Sequence, residues 1–297
     1  MRKLKNFIKR NTPRGIIKLR RIYRNVFVRL DTLERNQVSM IREEYNGNNK
    51  SEINNKEFKV YSQNGEDGIL LYIFSKIGIK KKKLVEIGIE EGKECNSANL
   101  IINFGWNGLL IEGSDENVKR ARNYYKYEKG ISDDRIKIVS EFVTKDNINN
   151  ILEENGMIGE IDMLSIDIDG NDYWILEKID RINPRVIIIE YNASIPKDKS
   201  LSVKYDPKFD RFEKHKSAWY HGASLAAISK LANKKGYVLV GCDSTGCNAF
   251  YVRKDLAKGK LEEVSVEDAY YPQIYKSKSC SLENQFDQIK DLEWEEV

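Results

Sequence analysis

The amino-acid sequence predicts a doubly wound α/β fold with a seven-stranded sheet. Seven apolar, strand-like runs alternate with helical patterns between residues 67 and 253. This alternation is typical of a parallel sheet with helices on both faces. The last two runs are separated only by residues 242–247, a turn that is too short for a crossover helix. We therefore expect a Rossmann-like sheet of five parallel strands followed by an antiparallel final pair.

Each element is bounded by a change in periodicity. The fifth strand is apolar on both faces until Glu190, as expected for a strand that lies between two helical layers. The predicted strands are 83–88, 108–112, 136–142, 161–167, 186–191, 237–241 and 248–253. The helical patterns cover 67–78, 95–104, 115–127, 146–154, 172–180 and 223–235.

The chain is predicted to divide into an extension at residues 1–55, an α/β domain at 56–255 and a C-terminal extension at 256–297. Every charged residue between Arg2 and Arg29 is basic, and apolar residues from Ile16 to Met40 recur at three- and four-residue steps. This spacing predicts a basic amphipathic helix. It could pack on its own domain, pair with a second copy in a homo-oligomer, or lie on an anionic membrane surface.

Composition limits the class of protein. No apolar run reaches the roughly 18 residues of a membrane span, so we expect a cytoplasmic protein, peripheral at the inner face of the membrane if the basic helix binds there. The four cysteines are too scattered for a disulfide framework or a zinc site. A nucleic-acid partner is not expected, because the basic residues are confined to one end of the chain.

A cofactor site is predicted where the first strand ends. That strand runs into a turn with Gly88 and Gly92, and the second strand ends about 20 residues later in Glu112. A dinucleotide loop needs closely spaced glycines around a pyrophosphate, whereas Glu90 and Glu91 in this turn would repel phosphate. S-adenosylmethionine carries no phosphate, and its ribose diol suits a strand-end carboxylate. The turn therefore favours S-adenosylmethionine over NAD.

Acidic residues also end the fourth and fifth strands. Asp167 and Asp169 follow the fourth strand, and Asp172 is positioned to cap the next helix. Unpaired carboxylates at a buried strand end are costly, so the first two should meet a cation, a hydroxyl group or the sulfonium cofactor. The oxygen atoms of Asp167, Glu190 and Asn192 would suit Mg²⁺, although hydrogen bonds from loop amides explain Glu190 as well.

Two further segments carry candidate site residues. In the segment 61–68, Gln63 and Asp67 could close over the amino-acid end of the cofactor, although helix capping explains Asp67 equally well. The long connection 193–222 combines lysines with aromatic residues and holds both histidines, His215 and His221. It suits a sugar or phosphate-bearing acceptor, or it is an ordinary solvated loop. Of the two histidines we favour His221 as a candidate base, with a packed or cap-bonded imidazole as the alternative.

The order of five segments resembles the FkbM-type family of class I S-adenosylmethionine-dependent methyltransferases. These segments are 62–68, 85–88, 105–112, 165–172 and 189–192. The resemblance extends over about 58–253 and implies O-methylation of a sugar, a nucleotide-sugar or a surface glycan. It also implies that three residues hold the methionine end of the donor (Glu86, Gly88 and Gly92), that Glu112 holds the ribose, and that the turn with Glu141 and Phe142 holds the adenine.

In the O-methylation that this resemblance implies, an acceptor hydroxyl attacks the methyl carbon in line with the departing sulfur. Asp169 or His221 would accept the proton, with Asp167 beside the donor, and Mg²⁺, if present, would lower the pKa of the hydroxyl. The family commonly has glutamate where Asp169 stands, which shortens the reach of a base at this position. A non-catalytic scaffold and an NAD-dependent oxidoreductase are the alternatives.

Overall fold

The computed structural model describes residues 52–297. The predicted basic helix, with its membrane and oligomer contacts, lies outside the described residues. Residues Glu52–Lys56 form a 3₁₀ turn that packs on the main body, where Ile53 is buried in the core. The Asn54 side chain donates a hydrogen bond to the carbonyl oxygen of Cys242 at 2.8 Å. All four cysteines are free thiols.

The main sheet has the predicted strands in the order β3-β2-β1-β4-β5-β8-β7. Neighbouring strands from β3 to β5 are parallel, while β8 pairs in antiparallel fashion with both β5 and β7. The prediction of five parallel strands and an antiparallel final pair is therefore confirmed. The strands are β1 (Lys83–Ile87), β2 (Asn107–Glu112), β3 (Ile136–Ser140), β4 (Gly159–Ile166), β5 (Ile182–Glu190), β7 (Tyr237–Cys242) and β8 (Asn248–Arg253).

Helices cover both faces of this sheet, and a helix is found at each of the six predicted helical patterns. The first seven are α1 (Glu66–Ile77), α2 (Ala98–Phe104), α3 (Asp115–Asn123), α4 (Ile148–Glu154), α5 (Asp172–Lys178), α6 (Arg211–Lys214) and α7 (Leu225–Lys234). A π-helical turn, Tyr124–Glu128, continues α3. The C-terminal segment adds α8 (Lys254–Ala257), α9 (Val266–Ala269), α10 (Ile274–Ser277) and α11 (Leu282–Asp287). None of the helices in residues 52–297 is long and apolar enough to cross a membrane.

Alternation along the strands sends side chains into two separate cores. Successive residues of a strand point to opposite faces, so Val85 joins one cluster and Leu84 the other. The first cluster packs against α4, α5 and α7 through Ile148, Ile175 and Ile228. The second packs against α1, α2 and α3 through Ile73, Ile101 and Ala121. Both faces are thus closed, and the strand ends are left to form the site.

The connection 193–222, which has no strong periodicity in sequence, contains a strand and a short helix. Its strand β6 (Leu201–Val203) pairs in antiparallel fashion with β9 (Trp294–Glu296) near the end of the chain. Three-residue strands show no readable periodicity, and the partner strand is distant in sequence, so the pairing left no signal. It brings the end of the chain back beside the connection 193–222.

Candidate active site

The end of β1 lies directly against the end of β4. Gly88 has a φ of +84°, and a Cβ at this position would lie 1.6 Å from the carbonyl oxygen of Asp167. The Gly88 amide donates to the carbonyl oxygen of Ile111 in the neighbouring β2 at 2.9 Å. Only glycine fits here, because the backbone has a positive φ and the Asp167 carbonyl group lies where a side chain would be. The turn after β1 is therefore fixed by backbone contacts to both adjacent strands.

Glu86 holds the loop that follows this turn. Its carboxylate is buried and accepts hydrogen bonds from the backbone amides of Asn96 and Ser97, each at 2.9 Å. The Asn96 side chain in turn donates to the hydroxyl of Ser165 on β4 at 3.1 Å. Burial raises the pKa of Glu86, while these hydrogen bonds oppose the shift. The Glu86 carboxylate thus fixes the backbone of the loop at the predicted methionine end of the site.

Glu112 sits at the end of β2 with its carboxylate held in one orientation. One oxygen accepts from the amide of Glu90 at 2.8 Å, and the other accepts from the amide of Ser114 at 2.9 Å. Glu90 adopts a left-handed φ of +47°, which turns its amide toward this carboxylate. The Asn117 side chain also donates to the oxygen that accepts from Ser114, at 3.5 Å, so the oxygen facing Glu90 keeps a lone pair for a further donor. The binding of a ribose diol by Glu112 remains a prediction.

The remaining residues of the turn are engaged in packing and ion pairs. Gly92 has a φ of +71°, and a Cβ there would lie 2.8 Å from the Tyr125 ring. Glu91 pairs with Lys93 and with Arg120 on α3. The charge of Glu91 is therefore compensated, and the repulsion of phosphate expected from this turn comes from Glu90.

The turn predicted to bind adenine lies beside Glu112. The Glu141 amide donates to the carbonyl oxygen of Glu112 at 2.9 Å. Phe142 is 56% exposed, and its ring lies over Gly113, where an added Cβ would be 3.2 Å from the ring. An exposed aromatic ring next to the carboxylate that is predicted to bind ribose can stack on a flat base.

The segment 61–68 approaches the same edge from the other side. Lys59 donates to the carbonyl oxygen of Gln63 and to Glu94 in the loop after β1, each at 2.9 Å. Asp67 is buried, and one of its oxygens accepts hydrogen bonds from the amides of residues 60–62. The other oxygen is buried without a partner among the described residues, as is the amide oxygen of Asn64. Gln63 is exposed.

The turn after β4 combines Asp167, Asp169 and Asp172. The Asp172 carboxylate accepts hydrogen bonds from the amides of Ile168 and Gly170, each at 2.9 Å, so it fixes the preceding turn. The prediction that Asp172 caps the following helix is therefore wrong, because Asp172 is the first residue of α5 and the N-cap is Asn171. Burial raises the pKa of Asp172 to about 6. Burial, together with the neighbouring carboxylates, raises the pKa of Asp167 well above its usual range. Asp169 has a left-handed φ of +56° and pairs with Arg211 on α6.

Asp169 meets Glu190 and His221 at the end of β5. One ligand atom from each of these side chains lies within 4.8 Å of the others. His221 is 2% exposed, with Nδ1 3.5 Å from Oε2 of Glu190 and Nε2 3.1 Å from Nζ of Lys276. Burial, and then the charges of Lys276 and Arg211, lower the pKa of His221 well below its usual value. The imidazole in this cluster is therefore neutral.

The predicted magnesium ligands Asp167, Glu190 and Asn192 are not the set that the structure brings together. The Asn192 amide donates to the carbonyl oxygens of Trp219 and His221 at 2.7 and 2.8 Å and accepts from the Ser194 amide at 2.9 Å. It is a buried brace for the loop that carries His221. The Asn192 oxygen is already used by the Ser194 amide, and the charges of Arg211 and Lys276 act on Asp167 and Glu190, so the predicted donor set does not fit Mg²⁺.

Two cations beside Asp169, Glu190 and His221 were not predicted from the sequence. Arg211 was one of several basic residues in a loop, and nothing distinguished it from the others. Lys276 belongs to the four-residue helix α10, for which no periodicity can be read. Both act on acids that are distant in sequence, so only the folded chain reveals their partners.

Comparisons with known proteins identify the family to which this chain belongs. Residues 47–239 match the methyltransferase FkbM domain. A search of curated proteins found no match. A solved structure of a proposed sarcosine dimethylglycine methyltransferase from Galdieria sulphuraria is 16% identical, with a TM-score of 0.38. That alignment covers 58% of this chain and 59% of the other, so this chain spans less than two thirds of that relative.

Two further solved structures are similarly distant. An S-adenosylmethionine-dependent methyltransferase from Clostridium acetobutylicum is 11% identical over 62% of this chain and 89% of its own, with a TM-score of 0.41. An O-methyltransferase from Bacillus cereus in complex with SAH is 18% identical over 61% of this chain and 76% of its own, with a TM-score of 0.37. The domain match covers well over half of the chain, and the protein therefore belongs to the FkbM methyltransferase family.

Proposed function

We propose that this protein transfers a methyl group from S-adenosylmethionine to a hydroxyl group of a sugar, a nucleotide-sugar or a surface glycan. The observation that carries the proposal is the Glu112 carboxylate, oriented by two amides at the end of β2 beside a turn whose Gly88 has no side chain over the strand ends. A carboxylate in that position binds the two hydroxyls of a ribose.

The charges around this turn support the same donor. Glu90, Glu112 and Asp167 surround the turn after β1, and an acidic surface suits the sulfonium and ammonium groups of S-adenosylmethionine. When bound, the donor supplies a methyl carbon attached to a positively charged sulfur.

The acceptor would lie over the ends of β4 and β5. As its oxygen attacks, the new O–C bond forms while the C–S bond breaks, and the hydroxyl proton passes to a base. Asp169 is engaged by the Arg211 guanidinium, whereas burial and the charges of Asp167 and Asp169 raise the pKa of Glu190. A carboxylate with a raised pKa is the better proton acceptor. Asp167 shares a raised pKa but lies against the turn after β1, whereas Glu190 lies beside Asp169 and His221, so we assign the role of base to Glu190.

An adjoining cavity supports a sugar as the acceptor. It has a volume of about 340 Å³, and its walls include the aromatic rings of Tyr205, Phe209 and Tyr220. The Phe209 ring also covers Gly170 in the turn after β4, where an added Cβ would lie 2.3 Å from it. Lys214 and Asp206 form an ion pair at 2.7 Å on the same wall. Aromatic faces beside charged hydrogen-bonding groups suit a sugar ring.

Glu112→Ala should weaken the binding of S-adenosylhomocysteine by about 1.5–3 kcal/mol, the range for hydrogen bonds to a charged group. Isothermal titration calorimetry measures the change, with circular dichroism as the check of folding. Glu116→Ala is the matched control, because Glu116 is exposed on α3 and pairs only with Arg120 among the described ion pairs. An unchanged affinity in folded Glu112→Ala would remove this carboxylate from the donor site and, with it, the main support for the proposal.

A further inference from the structure

Lys276 reaches the acid cluster from outside the matched family domain. The domain match ends at residue 239, whereas Lys276 lies on α10 in the C-terminal segment. Its Nζ atom is 3.1 Å from Nε2 of His221 and 3.4 Å from the hydroxyl of Ser194. The side chain is half-buried, so its cation faces the site and is not free in solvent.

The backbone around Lys276 is anchored on both sides. The Ile274 amide donates to the carbonyl oxygen of Thr245 in the β7–β8 turn at 3.0 Å. The Gln273 side chain accepts from the Lys276 amide at 3.1 Å and caps α10. Tyr191, which follows β5, donates its hydroxyl to the carbonyl oxygen of Tyr271 at 2.7 Å. These contacts fix the position of α10 relative to the end of β5.

An ammonium group beside an imidazole nitrogen decides where the imidazole proton lies. Lysine offers three donors and no acceptor, so Nε2 of His221 must accept the hydrogen bond from Lys276. The single proton of the neutral ring is then on Nδ1. That atom is buried without a hydrogen-bond partner among the described residues, and it lies 3.5 Å from Oε2 of Glu190. Although burial lowers the pKa of Lys276, the value of about 8 leaves it mainly protonated at neutral pH.

We propose that Lys276 is a positioning residue that holds His221 as its Nδ1–H tautomer, so that His221 donates a hydrogen bond into the acceptor site. This replaces the expectation that His221 is the base. An imidazole with Nε2 occupied and Nδ1 protonated has no free lone pair for a proton. It can orient the acceptor oxygen and the Glu190 carboxylate while Glu190 takes the proton. The catalytic meaning of this arrangement rests on the proposed methyl transfer, whereas the tautomer itself does not.

Nitrogen NMR on the full chain with ¹⁵N-labelled histidine tests the assignment. The chain has only two histidines, and His215 serves as an internal control because its Nδ1 contacts Ser217 at 2.7 Å, away from Lys276. At neutral pH, the wild-type protein should show His221 with a protonated Nδ1 and an unprotonated Nε2. A protonated Nε2 in the wild-type protein would overturn the proposal without any variant.

Substitutions then separate the role of Lys276 from general packing. Lys276→Met should convert His221 to the Nε2–H tautomer or to a mixture, and Lys276→Ala serves if the methionine variant does not fold. Lys276→Arg keeps a donor without an acceptor and should preserve Nδ1–H. Lys278→Met is the control, because Lys278 is exposed two residues away and lies over the Tyr275 ring. An unchanged His221 spectrum in folded Lys276→Met would contradict the proposal.

Calorimetry with S-adenosylhomocysteine on the same proteins tests the proposed methyl transfer separately from the role of Lys276 in setting the His221 tautomer. Lys276→Met should bind it within about twofold of the wild-type affinity, because Lys276 has no contact with the predicted donor residues. If the wild-type protein fails to bind it while His221 is found as Nδ1–H, the proposed methyl transfer fails and the role of Lys276 in setting the tautomer stands.

Discussion

Glu190→Gln should reduce methyl transfer by about 10²- to 10⁴-fold, the range for loss of a general base. Glutamine keeps the size of the side chain but cannot accept the proton. Binding of S-adenosylhomocysteine should be unchanged, because the predicted donor residues lie at the ends of β1 and β2. Transfer of labelled methyl groups to a panel of sugars and nucleotide-sugars gives the rate, and calorimetry gives the affinity.

The pH dependence of that rate has a defined direction. Glu190 must be deprotonated to act, and burial raises its pKa above the usual carboxyl range. Turnover should therefore fall as the pH drops through this raised pKa and should level off once the pH is above it. Glu177→Gln, an exposed change on α5, is the control. Full activity in Glu190→Gln would assign the base to another residue, with Asp169 the first to examine.

Arg185→Met should lower the free energy of unfolding by about 3–5 kcal/mol, because it leaves a buried carboxylate without its cation. Nε of Arg185 is 3.2 Å from Oδ1 of Asp162, and the two side chains are 8% and 0% exposed. The guanidinium also donates to the carbonyl oxygens of Ile77 and Gly78, each at 3.0 Å. Urea denaturation at constant pH measures the loss.

Arg181→Met is the matched control for this substitution. Arg181 lies in the turn before β5 and is 47% exposed, with ion pairs to Glu153 and Asp180. Such surface pairs contribute about 0–1 kcal/mol, so the control should unfold close to the wild-type midpoint. Combining Arg185→Met with Asp162→Asn should recover part of the loss, because the uncompensated charge is gone. Equal midpoints for Arg185→Met and the wild-type protein would refute the buried-pair argument.

Periodicity predicted the main sheet because its elements are long and regular. The runs at β4 and β5 are apolar over most of their length, and the short turn 242–247 allowed only a hairpin. Strands β6 and β9 were missed because three residues give no period and their pairing joins Ser202 to Glu295 across the chain. Their hydrogen bonds depend on the tertiary fold and not on local sequence.

The candidate site shows the same limit. Strand-end position was enough to single out Gly88 and Glu112, because parallel strands end at one edge of the sheet. The hydrogen-bond and ion-pair partners of each carboxylate could not be predicted from its position at a strand end. Glu86 holds two loop amides, and Asn192 braces the His221 loop instead of facing an ion. Lys276 approaches from a segment without any motif.

Calorimetry of the full-length protein with S-adenosylhomocysteine and, separately, with NADH tests the central claim most directly. The geometry of Glu112 and the acidic turn after β1 predict one-to-one binding of S-adenosylhomocysteine and no detectable binding of NADH, whose pyrophosphate would meet Glu90. Binding of NADH without binding of S-adenosylhomocysteine would indicate an oxidoreductase. Binding of neither ligand by the folded protein would indicate a scaffold, and either result would contradict the proposed methyl transfer.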